Sequence, residues 1–200
     1  MLSVFVALDR SGSMSGPSWN NAIDSINEYV GGLQNEKIEG DITIIAFDAP
    51  PSLDVRLTPI LENQSIAYFE ALKPSVLSPA GMTPLYDAAA NVMDRALERN
   101  NDRTVVVILT DGHENASKEY TQAKIKAKVE QLQAKTWEVI FLGANFDVAE
   151  YTKSAGLGGG KMRNFDLNNA ADRTMMYQDL TASTTAYAMT GAAMDLSNVK

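Results

Sequence analysis

Two apolar runs, Leu2–Leu8 and Thr104–Leu109, constrain this chain more than any other feature. Each is a short, nearly continuous hydrophobic stretch that gives way to an aspartate and a glycine-containing polar loop. Runs of this length read as parallel strands buried on both faces. Between and beyond them the hydrophobic period changes to that of a helix. Trp19, Ile23, Ile26, Val30 and Leu33 share one face, begun near Pro17 and stopped at Gly31–Gly32 or shortly after. Asp41–Phe47 reads as a second strand and Leu53–Leu57 as a third, close enough for a hairpin and therefore the antiparallel edge. Ile60–Lys73 reads as a helix and Pro74–Met82 as a loop. Pro84–Arg99 reads as a helix with Pro84 in its first turn and Leu85, Ala89, Val92 and Ala96 on one face. A lysine-rich helix over Glu119–Ala134 turns Ile125, Val129 and Leu132 inward, and Glu138–Leu142 is a strand ended by Gly143. The expected remainder is a short helix Phe146–Ala155, a turn Gly156–Gly160, a strand Met162–Leu167 and a final helix Asn169–Met189.

Alternation of this kind predicts an α/β fold. Its sheet is doubly wound, six-stranded and mostly parallel, with one antiparallel edge strand and helices on both faces. The chain has 200 residues, enough for one well-buried domain and marginal for two. The expected organisation is one domain over 1–200, with a core of about 1–142 and a C-terminal strand and helix within 143–200. In such sheets ligands bind outside the carboxyl ends of the strands. That directs attention to the loops after Leu8, after Leu109 and between Lys73 and Pro84.

Charge and cysteine content narrow the chemistry. With 25 acidic and 17 basic side chains the formal charge is −8, which argues against a nucleic-acid backbone as partner and suits a chain that collects a cation. No cysteine is present, so disulfides and thiolate metal sites are excluded. No apolar run reaches the roughly 18 residues of a membrane span. Met1–Leu8 lacks a charged leader and runs into Asp9, so it reads as a strand and not as a signal peptide. The expected location is cytoplasmic, with a phage particle as the alternative setting.

Three segments at strand ends or helix starts then stand out. They are Asp9-Arg10-Ser11-Gly12-Ser13, Gly81-Met82-Thr83-Pro84-Leu85-Tyr86-Asp87 and Thr110-Asp111-Gly112. Together they offer the carboxylates of Asp9 and Asp111 and the hydroxyls of Ser11, Ser13 and Thr83. This oxygen-only set suits a hard divalent cation, Mg²⁺ first, with Mn²⁺ and Ca²⁺ as alternatives. Ser11 and Ser13 are two apart, so in an extended loop both hydroxyls point one way. Gly12 lets the backbone turn between them.

Asp9-x-Ser11-x-Ser13, Thr83 and Asp111-Gly112, in that order, resemble the metal-ion-dependent adhesion site of the von Willebrand factor A family. Thr-Pro-Leu-Tyr-Asp-Ala at 83–88 and Leu-Thr-Asp-Gly at 109–112 resemble the corresponding words of its intracellular and bacterial members. The resemblance covers Leu2 to about Leu142. It implies that Ser11 and Ser13 contact the metal directly, Thr83 directly or through water, and Asp9 and Asp111 mainly through waters. It further implies a binding module without catalysis, whose cation takes a Glu or Asp carboxylate from a protein partner. No nucleic acid, membrane or other cofactor is implied.

Other readings are weaker. A serine hydrolase would use Gly12–Gly16 as a nucleophile elbow with Ser15, Asp111 and His113 in chain order, but Asp111 and His113 sit two apart in one loop. A metal-assisted hydrolase has only Arg10 and His113 as helpers. A phosphatase of the aspartate-nucleophile type lacks its second Asp, because Ser11 stands there. Gly156–Lys161 misses phosphate-loop spacing at Ala155 and Met162. Lys118, Lys124, Lys126 and Lys128 read as a solvated helix face. The methionines at 162, 175, 176, 189 and 194 read first as core filling, with a self-association surface as the alternative. A structural subunit of a larger assembly is the main alternative to the binding module.

Overall fold

The computed structural model describes residues 1–51, 54–145 and 161–196. Among them a single sheet of six strands runs in the order β3-β2-β1-β4-β5-β6. The strands are β1 (Leu2–Asp9), β2 (Gly40–Asp48), β3 (Arg56–Ser65), β4 (Arg103–Thr110), β5 (Glu138–Ala144) and β6 (Met162–Phe165). β3 is antiparallel to β2, and every other pairing is parallel. The helices are α1 (Pro17–Asn35), α2 (Leu85–Arg99), α3 (Gln122–Gln133) and α4 (Ala170–Thr190).

The pleat sorts β1 and β4 into two cores. Leu2, Val4, Val6 and Leu8 of β1, with Val105, Val107 and Leu109 of β4, pack under α1 and α4. Phe5 and Ala7, with Val106 and Ile108, pack under α2 and α3. Both strands are therefore covered on both faces, which is why they read as continuous apolar runs. β1 and β4 pair in parallel, so their carboxyl ends lie side by side. The chain leaves β1 toward α1 on one face and β4 toward α3 on the other. The crevice between those departures is the switch point of the sheet.

Three sequence expectations are corrected. Ile60–Lys73 is not a helix: β3 runs on to Ser65, a single 3-10 turn covers Ile66–Tyr68, and an extended segment follows. The third strand therefore lies later than Leu53–Leu57, beginning at Arg56. Register shifts near Ile44 and a left-handed Asn63 (φ 49°) break the alternation along this edge, so its apolar spacing imitates a helix. Helix α1 ends at Asn35, shortly after Gly31–Gly32, as the sequence reading allowed. Gly32 serves close packing: a Cβ there would lie 2.7 Å from the Thr181 methyl on α4. Pro84 is the N-cap of α2 and not its first helical residue. The expected helix Phe146–Ala155 and turn Gly156–Gly160 lie outside the described residues. No described helix is long and apolar enough to cross a membrane.

Candidate metal centre

Asp9 is the last residue of β1 and is fully buried. Its carboxylate accepts the Ser11 backbone N–H at 2.7 Å and the Thr110 hydroxyl, from the end of β4, at 2.7 Å. Ser11 is nearly buried, while Ser13 is exposed. Their hydroxyl oxygens stand 3.0 Å apart, and the Ser13 hydroxyl donates to Asp111 at 2.7 Å. The loop is not extended as the spacing argument assumed. Ser11 is extended, but Gly12–Met14 is a 3-10 turn, and the hydroxyls converge through the curl of that turn.

Thr83 is 3% exposed and reaches the cluster across Gly112. A Cβ on Gly112 would lie 3.6 Å from the Thr83 hydroxyl oxygen and 3.9 Å from that of Ser13. A glycine thus keeps open the space that both hydroxyls border. The structure gathers all five residues singled out from the sequence, Asp9, Ser11, Ser13, Thr83 and Asp111, around the ends of β1 and β4.

The backbone around Thr83 is fixed by its neighbours. Gly12 N–H donates to the Gly81 carbonyl at 3.0 Å, and Ala80 N–H to the Arg10 carbonyl at 2.8 Å. A Cβ at Gly12 would stand 3.4 Å from the Gly81 carbonyl oxygen, an ordinary contact, so the packing there tolerates a side chain's first carbon. Ala49 and Met82 form an isolated antiparallel bridge. Gly81 has φ +80°, and a Cβ there would lie 2.5 Å from the Ala49 carbonyl oxygen, so glycine is obligatory on two grounds.

The electrostatics are those of a site short of positive charge. Among the described residues no Lys or Arg pairs with Asp9 or Asp111. Burial pushes the Asp9 carboxyl up from 3.8 to about 6, against hydrogen bonds from Ser11 and Thr110 that favour its charged form, and the Asp111 charge pushes the same way. Asp111 is also raised, chiefly by burial, with the Ser13 hydrogen bond opposing. Arg10, beside Asp9 in sequence, is turned to Asp48, donating through Nε at 3.2 Å and Nη2 at 3.1 Å, and is 6% exposed. Arg56 completes that pair from β3. A dication suits the oxygen set and would offset the buried carboxylates. Among the described residues no three His, Cys, Asp or Glu side chains gather into a metal cluster. That is expected of a site built from two carboxylates and three hydroxyls.

The alternative chemistries lose their parts. Ser15 is not placed as an elbow nucleophile: the central residue of Gly12–Gly16, where an elbow carries its serine, is Met14, and it is fully buried. Arg10 is occupied by Asp48 and is not a helper for hydrolysis. His113 is exposed at the loop surface.

Sequence reasoning missed four contributors. Thr110 holds Asp9, and its position between the β4 run and Asp111 was the available signal. Glu114 accepts the Tyr86 N–H at 2.9 Å and the Ser117 hydroxyl at 2.6 Å. Asn115 accepts the Thr83 N–H at 2.8 Å. Asp87 accepts backbone N–H groups of Lys118, Glu119 and Tyr120. Apart from the short-range Glu114–Ser117 bond, the pairings of Glu114, Asn115 and Asp87 join distant parts of the chain, and no local pattern announces them.

The profile of the von Willebrand factor type A domain matches residues 3–178. Thrombospondin-related anonymous protein of Plasmodium berghei (strain Anka) is 28% identical over 167 residues, covering 80% of this chain. The chain spans 27% of that relative's length. Among solved structures, the manganese-loaded TRAP protein of Plasmodium vivax superposes with a TM-score of 0.58 at 15% identity, covering 86% of this chain and 71% of its own. The pilus adhesin SpaC of Lactobacillus rhamnosus GG gives 0.66 at 11% identity, covering 92% of this chain and 30% of its own. At these identities the structural likeness is one of fold.

Proposed function

The chain belongs to the von Willebrand factor type A domain family, and from that premise we propose that it is a metal-dependent protein-binding module. Asp9, Ser11, Ser13, Thr83 and Asp111 would hold one divalent cation, Mg²⁺ by preference, as a metal-ion-dependent adhesion site. The cation would supply a directional contact for a Glu or Asp carboxylate on a partner protein. Two carboxylates and neutral hydroxyls leave part of a dication's charge unspent, so an anionic ligand from outside is attracted. Affinity and selectivity then come mostly from the surrounding interface.

The observation that carries this reading is the buried carboxylate of Asp9, which no described Lys or Arg pairs with, beside a cluster of converging hydroxyls. The manganese-loaded relative and the pilus adhesin of the same fold support it by likeness. The module is proposed to act without catalysis, and a cytoplasmic setting remains part of the proposal.

The test is binding to partners captured from the native source in Mg²⁺. Release by EDTA, and loss of capture in the Asp9→Ala variant, are expected. Capture that survives both treatments would remove the proposal.

A further inference from the structure

Thr83 stands in no strand or helix. It lies between the Ala49–Met82 bridge and Pro84, the N-cap of α2. A residue so placed needs its backbone held from elsewhere, because the orientation of a short side chain follows its backbone. Both of its backbone polar groups go to one residue. The Thr83 N–H donates to Asn115 Oδ1 at 2.8 Å, and the Thr83 carbonyl accepts the Asn115 N–H at 3.1 Å. The result is a closed two-bond clamp between the loop that carries Asp111 and the loop that carries Thr83.

The rest of that loop does different work. Pro84 offers no capping side chain, so the first donors of α2 are satisfied from outside: Tyr86 N–H by Glu114 and Asp87 N–H by Ser117 Oγ at 3.1 Å. Asp87 returns the contact by accepting the amides of Lys118, Glu119 and Tyr120. Those bonds fasten α2 to the Asp111 loop and belong to the fold. Among the described residues, only the Asn115 pair holds the Thr83 backbone itself. As a neutral amide it does so without adding a third negative charge beside Asp9 and Asp111.

We infer that Asn115 is a positioning residue for the cation site, setting where the Thr83 hydroxyl stands relative to Ser13 and Asp111. This rests on the cation reading proposed above. Asn115 is itself exposed, so its removal opens no cavity.

The test pairs amide hydrogen exchange in the metal-free protein with Mg²⁺ calorimetry, on wild type, Asn115→Ala and Asn115→Asp. In Asn115→Ala the Thr83 amide loses protection while those of Tyr86 and Asp87 keep theirs, and Mg²⁺ affinity falls about tenfold or more. Asn115→Asp keeps the acceptor oxygen and restores protection of the Thr83 amide; failure to do so would overturn the clamp, while its added charge keeps it out of the affinity comparison. Wild-type Mg²⁺ uptake that Asn115→Ala leaves unchanged would overturn this inference alone. Loss of affinity accompanied by loss of protection at Tyr86 and Asp87 would also overturn it, because the role would then be in the fold. Absence of Mg²⁺ uptake by the wild type would remove the cation reading and this inference with it.

Discussion

Asp9 is the residue whose placement is hardest to explain by stability. A carboxylate with no exposed surface and a folded pKa near 6 binds its proton more tightly folded than unfolded, where the value is 3.8. Between those values the folded state holds more protons, so raising the pH through this window destabilises the metal-free protein. The gap of about two units corresponds to about 3 kcal/mol at neutral pH. Asp9→Asn should therefore remove that loss. Its amide oxygen can still accept the Ser11 N–H, and its NH₂ can donate to Thr110, whose hydroxyl also stands 3.2 Å from the Gly112 carbonyl. Thermal unfolding without metal should show the wild type losing stability from about pH 4 to pH 6. Asp9→Asn should lose clearly less over that range, the remainder coming from Asp111, whose carboxyl is also raised, and should be several degrees more stable at pH 7. The same variant should bind no Mg²⁺, a trade of stability for function. A second residue-scale prediction concerns Gly81. Alanine there combines a positive φ with a contact against the Ala49 carbonyl oxygen and should cost about 2–3 kcal/mol, read as a lowered denaturation midpoint.

At the scale of elements, packing explains both what was legible and what was not. β1 and β4 were readable because double-sided burial leaves an apolar run with sharp ends. The helix faces of α1, α2 and α3 were readable because Ile23, Val92 and Val129 and their neighbours recur at helical spacing and are buried as expected. The site was readable for the same reason: its five residues sit where those strands and α2 start or stop. β3 was not, because an edge strand with one solvated face, a left-handed Asn63 and a shifted register has no clean period. The packing reason for Gly32 was not legible, because it lies in α4, far along the chain. That pairing gives a prediction. Gly32→Ala adds helix propensity yet should destabilise by about 1–2 kcal/mol through collision with Thr181. Combining it with Thr181→Ala should recover the loss, and a double-mutant cycle by chemical denaturation reads the coupling.

The whole molecule brings three chain segments, the outer two 101 residues apart in sequence, to one rim. A ligand that binds them together stabilises the fold by mass action, because the unfolded chain offers no such site. Mg²⁺ at a hundredfold excess over its Kd should add about 2.7 kcal/mol, raising Tm by roughly 5–10 °C. Ser13→Ala, which removes an exposed hydroxyl shared by Ser11 and Asp111, should leave the metal-free Tm nearly unchanged and abolish the Mg²⁺ shift. The most direct measurement is an anomalous difference map from crystals soaked in Mn²⁺. The account predicts one strong peak bordered by Ser11, Ser13 and Thr83, with Asp9 and Asp111 on its far side. A map with no peak there at saturating Mn²⁺, or with its only strong peak elsewhere, would contradict it.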